Sequence, residues 1–313
     1  MSDALVSPSI AMGGATVATS LILVASSKLK KNPRPDIVPF MGVMGAFVFA
    51  AQMINFTIPG TGSSGHLIGG VLLSAILGPW AAFITLCSVL IVQCLIFADG
   101  GLLALGCNIL NMAATSCLVA YPLIYRPIAG SSLKTGRIMA ASILASVFAL
   151  ELGAVGVTLE TELSGITYLP FSTFISFMLP IHLAIGTVEG VVTGLLIVFI
   201  AKHRPSILQS GVANNIEVKK ENRSLLWIFG TVAIILAVGF SFLASEFPDG
   251  LEWSIDKVSS NPDLLETTAP PTAIMPEYNS SLSGIIGAVI VMFLLYGVSS
   301  LAFSRLKKTS KAK

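Results

Sequence analysis

Long apolar segments, joined by mostly short polar connections, dominate this sequence. There are nine of them, at residues 9–27, 38–58, 66–78, 79–98, 103–125, 138–159, 173–200, 225–245 and 284–303. Most reach the roughly 20 residues that a helix needs to cross about 30 Å of hydrocarbon. Only 11% of the chain is charged, against about 25% in soluble domains. Because the alternation typical of barrel strands is absent, we expect an all-α integral membrane bundle.

Positive charge predicts the number of crossings and their direction. The basic residues Lys28 to Arg34 follow the first apolar segment, and positively charged loops stay on the cytoplasmic side. The region 66–98 is either one long helix broken at Gly78-Pro79 or two separate spans. Two spans place every Lys and Arg except Lys257 inside. The sequence therefore predicts about nine spans, with an external N-terminus and a cytoplasmic C-terminus.

The apolar segments divide into two units. Residues 1–200 carry seven spans, and residues 201–224 form a polar, charged stretch that we interpret as a cytoplasmic linker. Residues 225–313 contain two further spans around an external loop, which opens with FPDGLEWS at Phe247–Ser254. We predict a seven-helix bundle joined to an accessory two-helix hairpin.

One glycine-rich loop interrupts the apolar pattern. It reads GTGSSGHLIGG from Gly60 to Gly70 and carries His66, and the topology predicts that it lies at the outer face. Glycine permits close approach of the backbone, and imidazole is a good ligand for Ni, Cu, Co and Zn. His66 is therefore a candidate metal ligand, although a single histidine is often purely structural.

Three ionisable residues lie inside predicted spans, where such groups are costly and often functional. They are Glu151, His182 and Glu189. His182 and Glu189 are seven residues apart, so they share a helix face just after Pro180. Two interpretations stay open: a polar network that stabilises a kinked helix, or a direct ligand or proton-relay role.

Several kinds of chemistry find no support in the sequence. The stretch GSSLKTG at Gly130–Gly136 lacks the spacing of a phosphate-binding loop, and neither HExxH nor GxSxG occurs. We therefore predict a non-enzymatic protein without its own nucleotide site, organic cofactor or nucleic-acid partner.

Three stretches and the tail resemble a known family. The stretches are MGVMGAFVFAAQMINFTIPGTGSSGHLIGGVLLSAILGPWAA (Met41–Ala82), FADGGLLALGCNILNMA (Phe97–Ala113) and PIHLAIGTVEG (Pro180–Gly190). They resemble the CbiM/NikM-type substrate-capture component of nickel/cobalt energy-coupling-factor transporters. The tail resembles that system's small second component through its PDGLE segment, Pro248–Glu252.

The resemblance implies a transport subunit of a prokaryotic plasma membrane that captures Ni²⁺ or Co²⁺ as cargo. In that family the N-terminus plugs into a seven-span bundle. The metal is held by nitrogen donors: the terminal amine, the amide and imidazole of a histidine at position two, and a glycine-loop histidine that matches His66. The implied partners are a membrane coupling (T-type) subunit and two ATPase (A-type) subunits. The fused PDGLE arrangement and the DAL-type start resemble the nickel branch.

Position two departs from the family pattern because it is Ser2. The start MSDALVSP resembles the family's start without its first Met-His, so a Met-His directly upstream is one explanation. The other explanation is a degenerate site, in which the Met1 amine, Asp3 or solvent replaces the missing donors.

Two rival functions also stay open: a secondary proton-coupled divalent-metal transporter, and a non-transporting membrane metal-sensing or assembly protein.

Overall fold

Helices make up most of the regular structure. The computed structural model describes residues 1–34, 37–130, 133–205, 207–208, 223–239, 244–259, 273, 275 and 283–297. The helices are α1 (Pro8–Lys31), α2 (Val38–Gln52), α3 (Gly70–Leu77), α4 (Pro79–Phe97), α5 (Leu105–Ala129), α6 (Thr135–Ser164), α7 (Phe171–His203), α8 (Arg223–Gly239), α9 (Gly250–Val258) and α10 (Ser283–Gly297). A single 3₁₀ turn, Asp3–Leu5, precedes α1.

Five of these helices, α1 and α4 to α7, are long and apolar enough to cross a membrane. Shorter apolar helices occur within α2, α8 and α10. The prediction of a helical integral membrane protein is therefore confirmed. Helix α5 is unusual because its hydrogen bonding widens to the π type over Ile109–Tyr125.

The segment predicted as one span at 38–58 is helical only as far as Gln52. Strand β1 (Phe56–Ile58) then pairs antiparallel with β2 (Ser63–Gly65). Gly60 and Gly62 in the connecting turn have φ angles of 78° and 74°, a left-handed conformation that strains residues with a side chain. The helical prediction is wrong here because the turn chemistry of the glycine-rich loop extends back into the apolar segment.

Gly78, at a φ of 81°, separates α3 from α4, and both interpretations of 66–98 place a break at this point. Helix α3, however, has only eight residues and is about 12 Å long. The preceding residues, up to Gly69, reach the start of α3 as a strand and an extended loop.

The glycine-rich loop extends into the bundle beside α7. A Cβ at Gly65 would lie 2.6 Å from Ile185 in α7, and Ile68 contacts Glu189 one helical turn further along α7. Glu189 is about 27 Å along the helix axis from Phe171. The loop therefore descends beside α7 past the middle of that helix.

Small residues allow the main helices to pack closely. Gly186 of α7 lies against the Val147 backbone of α6, where a Cβ would be 2.9 Å from the Val147 Cα. The helices of the C-terminal unit pack on α2: the rings of Phe47 and Phe229 are 5.3 Å apart, and Gly45 faces Leu295 of α10. The two units thus share one apolar core.

Candidate metal-binding site

A cavity of about 120 Å³ lies where the N-terminus, the glycine-rich loop, α7 and the PDGLE segment meet. This is room for a small ion with a few water molecules. Its polar lining is supplied by Met1, His66, Asn108, Asn111, His182 and Asp249. The structure therefore brings three of the five predicted site residues, Met1, His66 and His182, to one cavity.

The N-terminus is fixed at the cavity by the residues just before α5 and by the first turn of α5. The Met1 carbonyl oxygen accepts hydrogen bonds from the Gly101 N–H at 3.0 Å and the Asn108 side-chain amide at 3.1 Å. The Asp3 carboxylate accepts from the N–H groups of Leu102 and Ala104, at 3.2 and 3.1 Å. Asp3, one of the expected replacement donors, is thus occupied in anchoring the chain.

His66 follows directly after β2 and is half-buried on the cavity wall. The nearest hydrogen-bond acceptor of its ring is the Leu67 carbonyl oxygen, 3.4 Å from Nδ1, which is a long contact. The position of this imidazole therefore depends on the backbone on either side of it.

Glu189 holds the backbone that follows His66. Its two carboxylate oxygens accept from the N–H groups of Ile68 at 2.9 Å and Gly69 at 3.1 Å. Only 1% of Glu189 is exposed. A non-helical backbone in a membrane protein needs hydrogen-bond partners within the protein. The Glu189 carboxylate therefore provides the acceptors that backbone carbonyl groups would provide in a helix.

Two buried glutamines hold the other side of the same peptide. The Gln52 side-chain amide donates to the Ile68 carbonyl oxygen at 2.9 Å, and the Gln93 amide donates to the Gln52 side-chain oxygen at 2.8 Å. Sequence reasoning missed both residues. The available signal was a polar amide in each of two strongly apolar segments.

The three ionisable residues of the apolar helices have separate surroundings. The Nδ1 of His182 is 2.7 Å from the Met178 carbonyl oxygen, and the Glu189 oxygens bind the glycine-rich loop. Glu151 has one buried carboxylate oxygen without a hydrogen-bond partner in the described part of the chain. Within the described residues, no hydrogen bond links any two of these three side chains.

The PDGLE segment begins helix α9 with a capping box. The Asp249 side chain accepts from the Glu252 N–H at 2.8 Å, and the Asp249 N–H donates to the Glu252 carboxylate at 3.3 Å. These reciprocal bonds satisfy free N–H groups at the helix start. They also fix Asp249 and Gly250 on the cavity wall.

The same segment is bound to the β-hairpin. The Ser64 N–H donates to the Pro248 carbonyl oxygen at 2.8 Å. The Ser64 hydroxyl donates to the Phe247 carbonyl oxygen at 2.7 Å. The Trp253 indole N–H donates to the Thr61 carbonyl oxygen at 3.0 Å. The C-terminal unit therefore forms one wall of the cavity.

Enlarging Gly250 is expected to displace this wall. Even a Cβ there would lie 2.8 Å from Ile185 and 3.3 Å from the ring of His182, so Gly250→Leu requires α9 to move outward. We expect metal binding to weaken several-fold, measured by calorimetry on the full chain. Gly230→Leu is the matched control, since no atom lies within 4 Å of a Cβ at Gly230. Equal affinity in both variants would contradict the assignment of this wall.

A metal at this cavity needs more than side-chain donors. Within the described residues, no group of three His, Cys, Asp or Glu side chains is arranged to hold a metal ion. Main-chain donors, such as the Met1 amine or a backbone nitrogen, would have to complete the coordination.

Comparison with known proteins shows that this membrane protein belongs to the class of metal-transport proteins. Residues 1–207 match the family model CbiM, the cobalt uptake substrate-specific transmembrane region, and residues 223–304 match the PDGLE domain. The chain belongs to the CbiM family and carries a fused PDGLE domain. The resemblance predicted from the sequence is thereby confirmed, as is a multi-pass transport protein of the plasma membrane.

Curated relatives and solved structures agree with this assignment. A putative fused nickel transport protein NikMN of Archaeoglobus fulgidus is 30% identical over 282 residues, which is 85% of this chain and 87% of the relative. A probable fused nickel transport protein LarMN of Lactiplantibacillus plantarum is 32% identical, covering 77% of this chain and 72% of the relative. The crystal structure of a truncated transition metal transporter matches with a TM-score of 0.57 and 31% identity, covering 65% of this chain and 98% of that one.

Proposed function

We propose that this chain is the substrate-capture subunit of an energy-coupling-factor importer for Ni²⁺ or Co²⁺. A T-type membrane coupling subunit and two A-type ATPases supply the energy, and this chain contributes no nucleotide site. The observation that carries the proposal is the cavity at which Met1, His66 and the PDGLE segment meet. The metal binds there through the His66 imidazole, and nitrogen donors of the N-terminal segment complete its coordination.

The chemistry of the cavity supports a late first-row metal. Imidazole and amine nitrogen are borderline donors that suit Ni²⁺ and Co²⁺, whereas Mg²⁺ and Ca²⁺ prefer oxygen ligands. The Asp249 carboxylate on the wall adds negative charge that favours a divalent cation. Nickel is favoured over cobalt because fused relatives in Archaeoglobus fulgidus and Lactiplantibacillus plantarum carry nickel in their names.

The proposed organisation is a metal-capture domain at 1–200, a cytoplasmic linker at 201–224 and a PDGLE accessory segment at 225–313. The chain crosses the membrane nine times with its N-terminus outside, and the third crossing combines the extended glycine-rich loop with α3. Contacts of Met1 with Gly101 and of Ser64 with Pro248 support a common outer end for these elements. The basic residues Lys28 and Lys31 lie at the opposite end of α1.

Transport in cells tests this function. We expect radioactive Ni²⁺ uptake when the chain is co-expressed with its coupling and ATPase subunits, and its loss when the ATPases carry an inactivating substitution. Uptake by the chain alone in proteoliposomes under a proton gradient would instead indicate a secondary transporter. Metal binding without uptake in either system would indicate a sensing or assembly protein.

A further inference from the structure

Within the described residues, one ring nitrogen of His182 forms a hydrogen bond and the other does not. Its Nδ1 is 2.7 Å from the Met178 carbonyl oxygen, one turn back along α7. A carbonyl oxygen only accepts, so Nδ1 carries the proton and Nε2 carries the lone pair in the neutral ring. No described residue hydrogen-bonds Nε2, and the side chain lines the cavity.

This arrangement is the one that metal-binding histidines commonly adopt. Such residues usually donate the second ring N–H to a carboxylate or a backbone carbonyl, which fixes the tautomer and orients the ring. His182 also lies on α7, a 33-residue helix packed closely against α6, so its position is more rigidly defined than that of a loop residue.

The other groups on the cavity wall complement a second imidazole. His66 and Met1 offer nitrogen, and Asp249 offers negative charge, within a volume of about 120 Å³. Glu189, the acidic residue of α7, already binds two backbone N–H groups and is not available. The ligand that suits two imidazoles and an amine is a divalent late transition metal.

We infer that His182 Nε2 is a second imidazole ligand of the transported metal, which it binds together with His66. This inference rests on the proposed function and extends it by one ligand. It assigns α7 a direct part in holding the cargo, in addition to its contact with the glycine-rich loop through Glu189.

The test measures Ni²⁺ binding to the purified full chain by calorimetry and counts imidazole ligands by X-ray absorption. We expect two imidazoles in the parent, and in His182→Gln one imidazole with affinity lower by at least about tenfold, the scale typical of disturbed metal sites. His203→Gln is the matched control because His203 makes the same contact, Nδ1 to the Phe199 carbonyl oxygen at 2.8 Å, but is exposed at the end of α7.

A cysteine variant separates ligation from a structural role. His182→Cys loaded with Co²⁺ is expected to show a thiolate-to-metal charge-transfer band that the parent and His203→Cys lack. Parent-like affinity in His182→Gln with an unchanged imidazole count, or no new band in His182→Cys, overturns the inference. If His66→Ala binds as tightly as the parent, the proposed site fails; if only the His182 variants behave like the parent, this inference alone fails.

Discussion

Replacing His66 with alanine is expected to abolish high-affinity binding of Ni²⁺ and Co²⁺. The substitution removes an imidazole donor from a cavity in which the described residues offer no cluster of three metal-binding side chains. Loss of a partner outside the coordination shell typically costs 10- to 100-fold, so we expect a weakening of more than about 100-fold for a direct ligand. Calorimetric titration of the full chain in detergent measures it.

His203→Ala provides the control for the His66 experiment. It removes an imidazole that is exposed and distant from the cavity, so metal affinity should stay at the parent value. The melting temperature of His66→Ala should also stay close to that of the parent, because the hydrogen bond of its ring to the described part of the chain is long. Parent-like affinity of the His66 variant would place the metal elsewhere.

Glu189→Gln is expected to weaken both metal binding and the fold. The carboxylate accepts from two backbone N–H groups, whereas a carboxamide has one acceptor oxygen and would direct its NH₂ group at the second N–H. One buried donor then loses its partner, at a cost of about 1–3 kcal/mol. Since the bound backbone positions His66, we expect Ni²⁺ affinity to fall by about tenfold. Thermal unfolding and calorimetry measure the two effects.

Glu151→Gln is the matched control because it makes the same chemical change in another intramembrane glutamate. One Glu151 oxygen is buried and lacks a hydrogen-bond partner in the described structure, so its replacement should leave stability and affinity unchanged or raise stability. Equal effects of the two substitutions would show that general loss of charge, and not the contact with Ile68 and Gly69, is responsible.

The sequence predicted those features that depend on local chemistry. Long apolar segments predicted the membrane helices, and Gly78-Pro79 predicted a break because glycine accepts a positive φ and proline begins a helix well. The isolated histidine in a glycine-rich loop predicted a place at a binding cavity for His66. Each of these signals lies within a few neighbouring residues.

The features that escaped prediction depend on contacts between distant parts of the chain. Nothing near Gly65 indicates that it lies against Ile185, or that Glu189 binds the peptide groups after His66. Likewise, Gln52 and Gln93 belong to two different helices, and their hydrogen bond becomes apparent only when those helices pack. Seven-residue spacing predicted a shared helix face for His182 and Glu189 but could not assign each side chain its hydrogen-bond partner.

The order in which the chain is synthesised constrains how the glycine-rich loop enters the membrane. Its peptide groups at Ile68 and Gly69 are bound by a carboxylate located 121 and 120 residues later in the chain. Hydrocarbon offers those groups no substitute, so the loop cannot insert alone as a helix does. Before α7 is in place, these N–H groups need water as their hydrogen-bond partner. The cavity wall that contains His66 is therefore completed only after α7 is in place.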